Sequence, residues 1–179
     1  MGSRNFFNFN KLKYKQKMFT EYNNLPKNSR VWVYQADRVF TAEEVAIISE
    51  KAVDFIEQWT RHGDNLKGSF TIKYNQFLVI AVDESFNNVS GCSIDASVRF
   101  VQQLENELHI DLMNKMNVSF KDGENINIVK LSEFQQFAKA QKITKETIVF
   151  NNMVQTKEEV ESKWEVPANQ SWHNRFLVS

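Results

Sequence analysis

A chain of 179 residues with 42% hydrophobic and 25% charged residues can bury a sizeable core without a disulfide or a structural metal. Its 22 basic residues cancel its 22 acidic ones, and five Gly and two Pro exclude collagen-like and low-complexity composition and leave little room for Gly-rich nucleotide loops. The single cysteine, Cys92, excludes an internal disulfide framework and a four-cysteine zinc site.

That cysteine usage fits a reducing compartment. No stretch reaches the ~20 apolar residues of a membrane span, so the chain is expected to be cytoplasmic. Arg4, Lys11, Lys13, Lys15 and Lys17 stand in residues 1–17, where there is no acid. This segment reads as a basic N-terminal extension, disordered or non-native, ahead of one globular domain over 18–179. Without it the balance is 17 basic against 22 acidic residues. An acidic domain lacks the basic clusters that displace counterions, so nucleic-acid binding is not expected.

In chain order, Val31 to Gln35 (VWVYQ) predicts a strand with Val31 and Val33 on one face and Trp32 and Tyr34 on the other. Thr41 with Glu44 forms a capping box for a long helix. Its apolar stripe is Val45, Ile48, Ala52, Phe55, Ile56 and Trp59. Arg61 and His62 are expected in its last turn, with Gly63 ending it.

Phe70, Ile72 and Tyr74 alternate with Thr71 and Lys73 in a half-exposed strand, and Asn75-Gln76 suggests a hairpin into Phe77–Val82. The unbroken run FLVIAV predicts a central strand. A polar loop over 83–91 leads to a helix from about Ile94 to Leu108, with Ser93 as its expected cap. Asp122-Gly123 marks a second hairpin. Ser132 with Gln135 predicts a capping box for a short helix carrying Phe134 and Phe137. Ile148 to Phe150 reads as a strand. Thr156 with Glu159 caps a helix through Val160 and Trp164 that ends before Pro167, and one or two helical turns are expected around Trp172. The order β-α-β-β-α, hairpin, α, β, α predicts an α+β fold with a mixed or antiparallel sheet and helices packed mainly on one face.

Several strings invite a chemical reading. FLVIAVDES ends an apolar strand in Asp83-Glu84, as a Walker B segment does, where the Asp holds Mg²⁺ and the Glu polarises water. Its partner phosphate loop is missing. In GDNLKGSF the two Gly have the right spacing, but Ser69 and Phe70 replace the Lys and the Ser or Thr, and the segment leaves a helix for a strand instead of the reverse.

Asp83, Glu84 and Asp95 flank one loop, and three converging carboxylates would suit Mg²⁺ or Mn²⁺ in a phosphoryl or nucleic-acid hydrolase. Solvated acidic loops have the same composition. Cys92 near a helix N-terminus has the setting of a nucleophilic thiolate, whereas the plain reading makes it a small packed residue. His62, His109 and His173 lack metal-ligand spacing. Trp172, His173 and Arg175 (SWHNRF) form either an aromatic-basic interaction patch or an anchored tail.

FLVIAVDES, SGCSIDASV, MNVSFKDG, IVFNN and WEVPANQSWHNRF together resemble a family of short Bacteroidetes proteins commonly labelled "ABC transporter ATPase". The resemblance spans about Leu25 to Leu177. It implies a bacterial cytoplasmic protein with its natural start at Met18. The label requires a Walker A lysine and an LSGGQ-type signature, and this chain has neither, so no catalytic residue is carried over. The first expectation is therefore a non-catalytic binding or interaction domain, its partner met through Trp32, Tyr34, Trp164 and Trp172. The alternative is an enzyme with its site around residues 83–95, metal-dependent through the carboxylates or thiol-dependent through Cys92.

Overall fold

The structure is a computed structural model that describes residues 18–85 and 88–177. The basic extension 1–17, and Phe86 and Asn87 of the acidic loop, lie outside the described residues.

A three-stranded antiparallel sheet forms the centre, in the order β1 (Arg30–Gln35), β5 (Phe77–Val82), β4 (Gly68–Lys73). All six residues of β5 are buried, as its unbroken apolar run requires of a strand covered on both faces. On one face lie α1 (Ala42–Gln58) and α2 (Gly91–Leu108). They close a core in which Ile48, Ala52, Val101 and Leu104 meet Leu78, Ile80 and Val82. The opposite face, with Val31, Phe77, Val79 and Ala81, packs against Phe150, Val160 and Trp164.

Those residues belong to the second half of the chain. There, β6 (Asn117–Asp122), β7 (Asn125–Lys130), β8 (Ile148–Phe150) and β9 (Glu165–Pro167) form a four-stranded antiparallel sheet in the order β7-β6-β8-β9. α3 (Leu131–Lys139) and a 3₁₀ turn over Trp172–Phe176 cover its outer face through Phe134, Val118 and Phe120. The α4 helix (Lys157–Ser162) lies between β8 and β9 in sequence. The fold is thus α+β and built on antiparallel sheets; the central one carries α1 and α2 on one face, as expected, but its other face is also covered, by the second half of the chain including Val160 of α4.

α1 begins with the expected capping box. The Glu44 amide donates to Thr41 Oγ1 at 3.1 Å, and the Thr41 amide donates to Glu44 Oε2 at 2.8 Å. Its end differs from expectation. The helix stops at Gln58, and Thr60–Arg61 (β2) and Asp64–Asn65 (β3) form a small hairpin turned by His62 and Gly63 at φ of 49° and 87°. Two successive left-handed residues make a primed turn, so His62 tips a hairpin instead of closing a helix.

Other starts and stops also moved. Ser90, not Ser93, caps α2, accepting from the Ser93 amide at 3.3 Å, which extends the helix back over Cys92. Ser132 lies inside α3, because β7 runs straight into the helix and the Leu131 amide is taken by the Met116 carbonyl at 2.8 Å. Thr156 does cap α4, but the helix ends at Ser162. Trp164 follows it, and Glu165–Pro167 pairs with β8 as an edge strand, where proline is tolerated.

Candidate functional site

The four-stranded sheet is split. β6 pairs with β7 along all six residues but meets β8 only through Phe120 and Val149. After β8 the chain turns away from β6 and joins the other sheet, where the Val31 amide donates to the Gln155 carbonyl at 2.9 Å. A cleft of about 470 Å³ lies at this divergence, a volume typical of small-molecule sites. All of β1, the start of β6, the segment from Asn152 to Gln155, and the pair Trp172-His173 line it.

Its polar groups form an oriented chain. An indole N–H can only donate, so Trp164 Nε1, 2.9 Å from Asn152, fixes Oδ1 as the acceptor there. Asn152 Nδ2 is then the donor to Gln35 Oε1 at 2.9 Å, and Ser119 Oγ donates to the same oxygen at 2.7 Å. Gln35 Nε2 is therefore turned away from this network. The same logic applies to Asn117, whose Oδ1 accepts from the Lys130 ammonium at 2.6 Å, leaving Nδ2 over.

Gln35 Nε2, Asn117 Nδ2, Trp172 Nε1 and His173 Nε2 are all shut off from solvent and have no hydrogen-bond partner among the described residues. All four residues line this one cleft. A buried polar group without a partner costs about 1–3 kcal/mol, so the cluster is an expensive feature for a purely structural cleft.

His173 is fully buried, with Trp172 stacked on it at 3.8 Å between ring centroids. Burial, helped by the nearby Arg175 charge, pushes its pKa down to about 4, so the ring is neutral at physiological pH. Its Nδ1 lies 2.7 Å from the Ser171 hydroxyl. Arg175 sits outside, its guanidinium 5.5 Å from the Trp172 ring centroid and 5.3 Å from that of Phe176. His173 therefore faces inward and does not share a surface patch with Arg175. Of the four aromatics expected to meet a partner, Trp164 is buried in the core, while Trp32, Tyr34 and Trp172 are half-buried and line the cleft.

The loop residues behave differently. Asp83 is buried and its Oδ1 accepts from the Ser85 amide at 2.9 Å. Glu84 Oε1 accepts from the Val89 amide at 3.0 Å and lies 3.8 Å from Arg30 Nη1. Asp95 is exposed on α2. Among the described residues no group of three His, Cys, Asp or Glu side chains is placed to hold a metal ion, so these carboxylates do not form the metal centre considered from sequence. Cys92 is exposed, and no hydrogen bond joins it to a histidine. It shares with His62 an open groove of about 1130 Å³ between α1 and α2, which the 3.0 Å Lys51–Glu107 ion pair crosses.

Sequence reasoning singled out Trp32, Tyr34, Trp172 and His173 but missed Gln35 and Asn117. The available signal was parity: Gln35 follows Val31 and Val33 on the inward face of β1, a polar residue where the pattern calls for an apolar one.

Comparison of the chain with protein-family models, with curated proteins and with solved structures gave no match. No helix among the described residues is long and apolar enough to cross a membrane.

Proposed function

We propose that this chain is a non-catalytic binding domain whose ligand occupies the cleft between β1, β6 and the Trp172-His173 turn. The observation that carries this reading is that Gln35, Asn117, Trp172 and His173, each with a buried side-chain nitrogen that has no partner among the described residues, all line one cleft with aromatic and aliphatic walls. The enzyme and ATPase readings have no comparable support, because the carboxylates of the acidic loop are held separately by local amides and, among the described residues, no hydrogen bond joins Cys92 to a histidine. The single cysteine and the family resemblance support a bacterial cytoplasmic location on this reading.

The test is a ¹H–¹⁵N spectrum, in which the free donors are directly visible as the side-chain amides of Gln35 and Asn117 and the indole of Trp172. Flat aromatic probes, 2-naphthoate and 2-naphthamide, are titrated to millimolar concentration. Saturable, concerted movement of these three signals with at least one probe supports the site. Movement of none of them with either probe overturns it.

A further inference from the structure

β7 is the outer strand of the second sheet, and its free edge is unclaimed. Gly123 and Glu124 form a two-residue turn between the paired residues Asp122 and Asn125. In such a hairpin the closing pair exchanges both of its hydrogen bonds, and every second pair after it does the same. The amides and carbonyls of Asn125, Asn127 and Val129 therefore face β6, and those of Ile126 and Ile128 point the other way. Among the described residues no hydrogen bond reaches these outward groups, and neither isoleucine is fully buried.

The other sheet edges are met or blunted. The Thr20 amide donates to the Gly68 carbonyl of β4 at 3.0 Å, and the Gly68 amide donates to the Met18 carbonyl at 3.1 Å. Gln155 meets β1 at Val31, and β9 is only three residues long and ends in Pro167. β7 has none of the usual protections of an edge: it is paired over six residues without a bulge, has no proline and carries no charge between its ends.

The charges lie at the ends, and they are opposite. Glu124 is exposed and has no partner among the described residues, and Lys130 holds only the neutral Asn117 side chain, at 2.6 Å. Two copies of β7 can pair antiparallel about a two-fold axis only with outward residues opposite outward residues. Centring the axis on Asn127 sets Ile126 opposite Ile128 of the other copy, and it sets Glu124 opposite Lys130 at both ends. Centring it on Ile128 instead leaves Lys130 against Ile126 and Glu124 against Ser132. A strand with opposite charges at its two ends is complementary to its own reversed copy, which selects a second copy of this chain as the occupant.

We infer that β7 is a dimerisation edge: two copies join antiparallel about Asn127, Ile126 and Ile128 exchange backbone hydrogen bonds across the axis, and a Glu124–Lys130 ion pair closes each end. Exposed ion pairs contribute little individually and a single strand-to-strand contact is small, so the dimer is weak and concentration-dependent.

The experiment is sedimentation velocity on the full chain from about 10 μM to about 1 mM, the range suited to a small interface. Amide hydrogen exchange at Ile126 and Ile128 supplies the site-specific signal. The parent is expected to dimerise as concentration rises, with exchange at those two amides slowing in step. Glu124→Lys or Lys130→Glu alone sets like charges together at both ends and should weaken the dimer at least about tenfold. Combined, they restore opposite signs and should return affinity to within about threefold of the parent. Ile128→Pro removes an outward amide at an edge position where proline is tolerated, so it should abolish the dimer and leave the monomer folded. That check stays available if a charge variant unfolds.

A parent chain that stays monomeric up to about 1 mM overturns the inference. So does a dimer that ignores the single charge reversals, or one that leaves exchange at Ile126 and Ile128 unchanged. β7 supplies no residue to the cleft, so these outcomes are independent of the ligand reading.

Discussion

His173 gives the chain an acid sensitivity that can be worked out from its burial. Its proton is held at about 4 in the folded protein against 6.5 in the unfolded chain, with desolvation as the main cause and Arg175 repulsion second. The unfolded state thus takes up the proton first as pH falls, so stability is fully present above 6.5 and declines between 6.5 and about 4. Between pH 7 and about pH 4.5 the linkage amounts to about 2 kcal/mol.

The perturbation is His173→Asn, which keeps a polar group beside Ser171 and removes the titration. Urea unfolding at both pH values, each fitted for its own free energy, gives the comparison. The variant will be less stable at neutral pH because Trp172 and Phe134 lose a packed ring. Its loss on acidification should nevertheless be smaller than that of the parent by about 2 kcal/mol. Glu44 does not confuse the window. Its carboxyl is held down to about 2, first by the Arg38 hydrogen bonds and then by the Thr41 amide, so its contribution is present above 4.5 and lost as pH falls through about 2. Parallel acid profiles for parent and variant would refute the argument that burial depresses His173.

Trp172→Phe removes an unpartnered buried N–H while retaining a ring against His173, so its thermal midpoint should be unchanged or higher, the opposite of an ordinary core truncation. Gly68→Ala should destabilise by about 1–3 kcal/mol in urea unfolding, because the new methyl meets the Ala81 carbonyl oxygen at 3.1 Å and Ile56 at 3.3 Å. Trp59→Phe deletes the 2.9 Å hydrogen bond to the Ser93 carbonyl inside a buried contact and should cost about 1–3 kcal/mol by the same measurement. Millimolar Mg²⁺-ATP should leave the thermal midpoint in place, since a bound ligand at a hundred times its dissociation constant would add ~2.7 kcal/mol; a shift abolished in Asp83→Ala would revive the nucleotide reading.

Much of this was legible in the sequence where one physical signal dominated. The FLVIAV run, the VWVYQ alternation, the Thr41–Glu44 box and the Asp122-Gly123 turn each fixed an element, since burial, pleat and capping are local codes. The β2–β3 hairpin was hidden because Arg61, His62 and Gly63 suit a helix C-terminus as well as the left-handed turn they form. The Glu165–Pro167 strand was hidden because its three residues become a strand only by pairing with β8. The cleft was less legible still. Trp172 and His173 stood out by type, yet Gln35 and Asn117 matter through which end of an amide is occupied. That is decided by Trp164, Asn152, Ser119 and Lys130, contributed by separate parts of the chain.

The position of β5 between a near neighbour and a distant one has a kinetic consequence. Its pairing with β4 closes a three-residue turn, whereas its pairing with β1 joins Val31 to Ala81, fifty residues apart. Closing the short loop sacrifices far less chain entropy, so the β4–β5 hairpin can form early and offer a template. β1 is therefore expected to dock later, the step at which Trp32 and Tyr34 gain the sheet they rest on. Substitutions in the hairpin should therefore slow refolding, while those in β1 should mainly hasten unfolding.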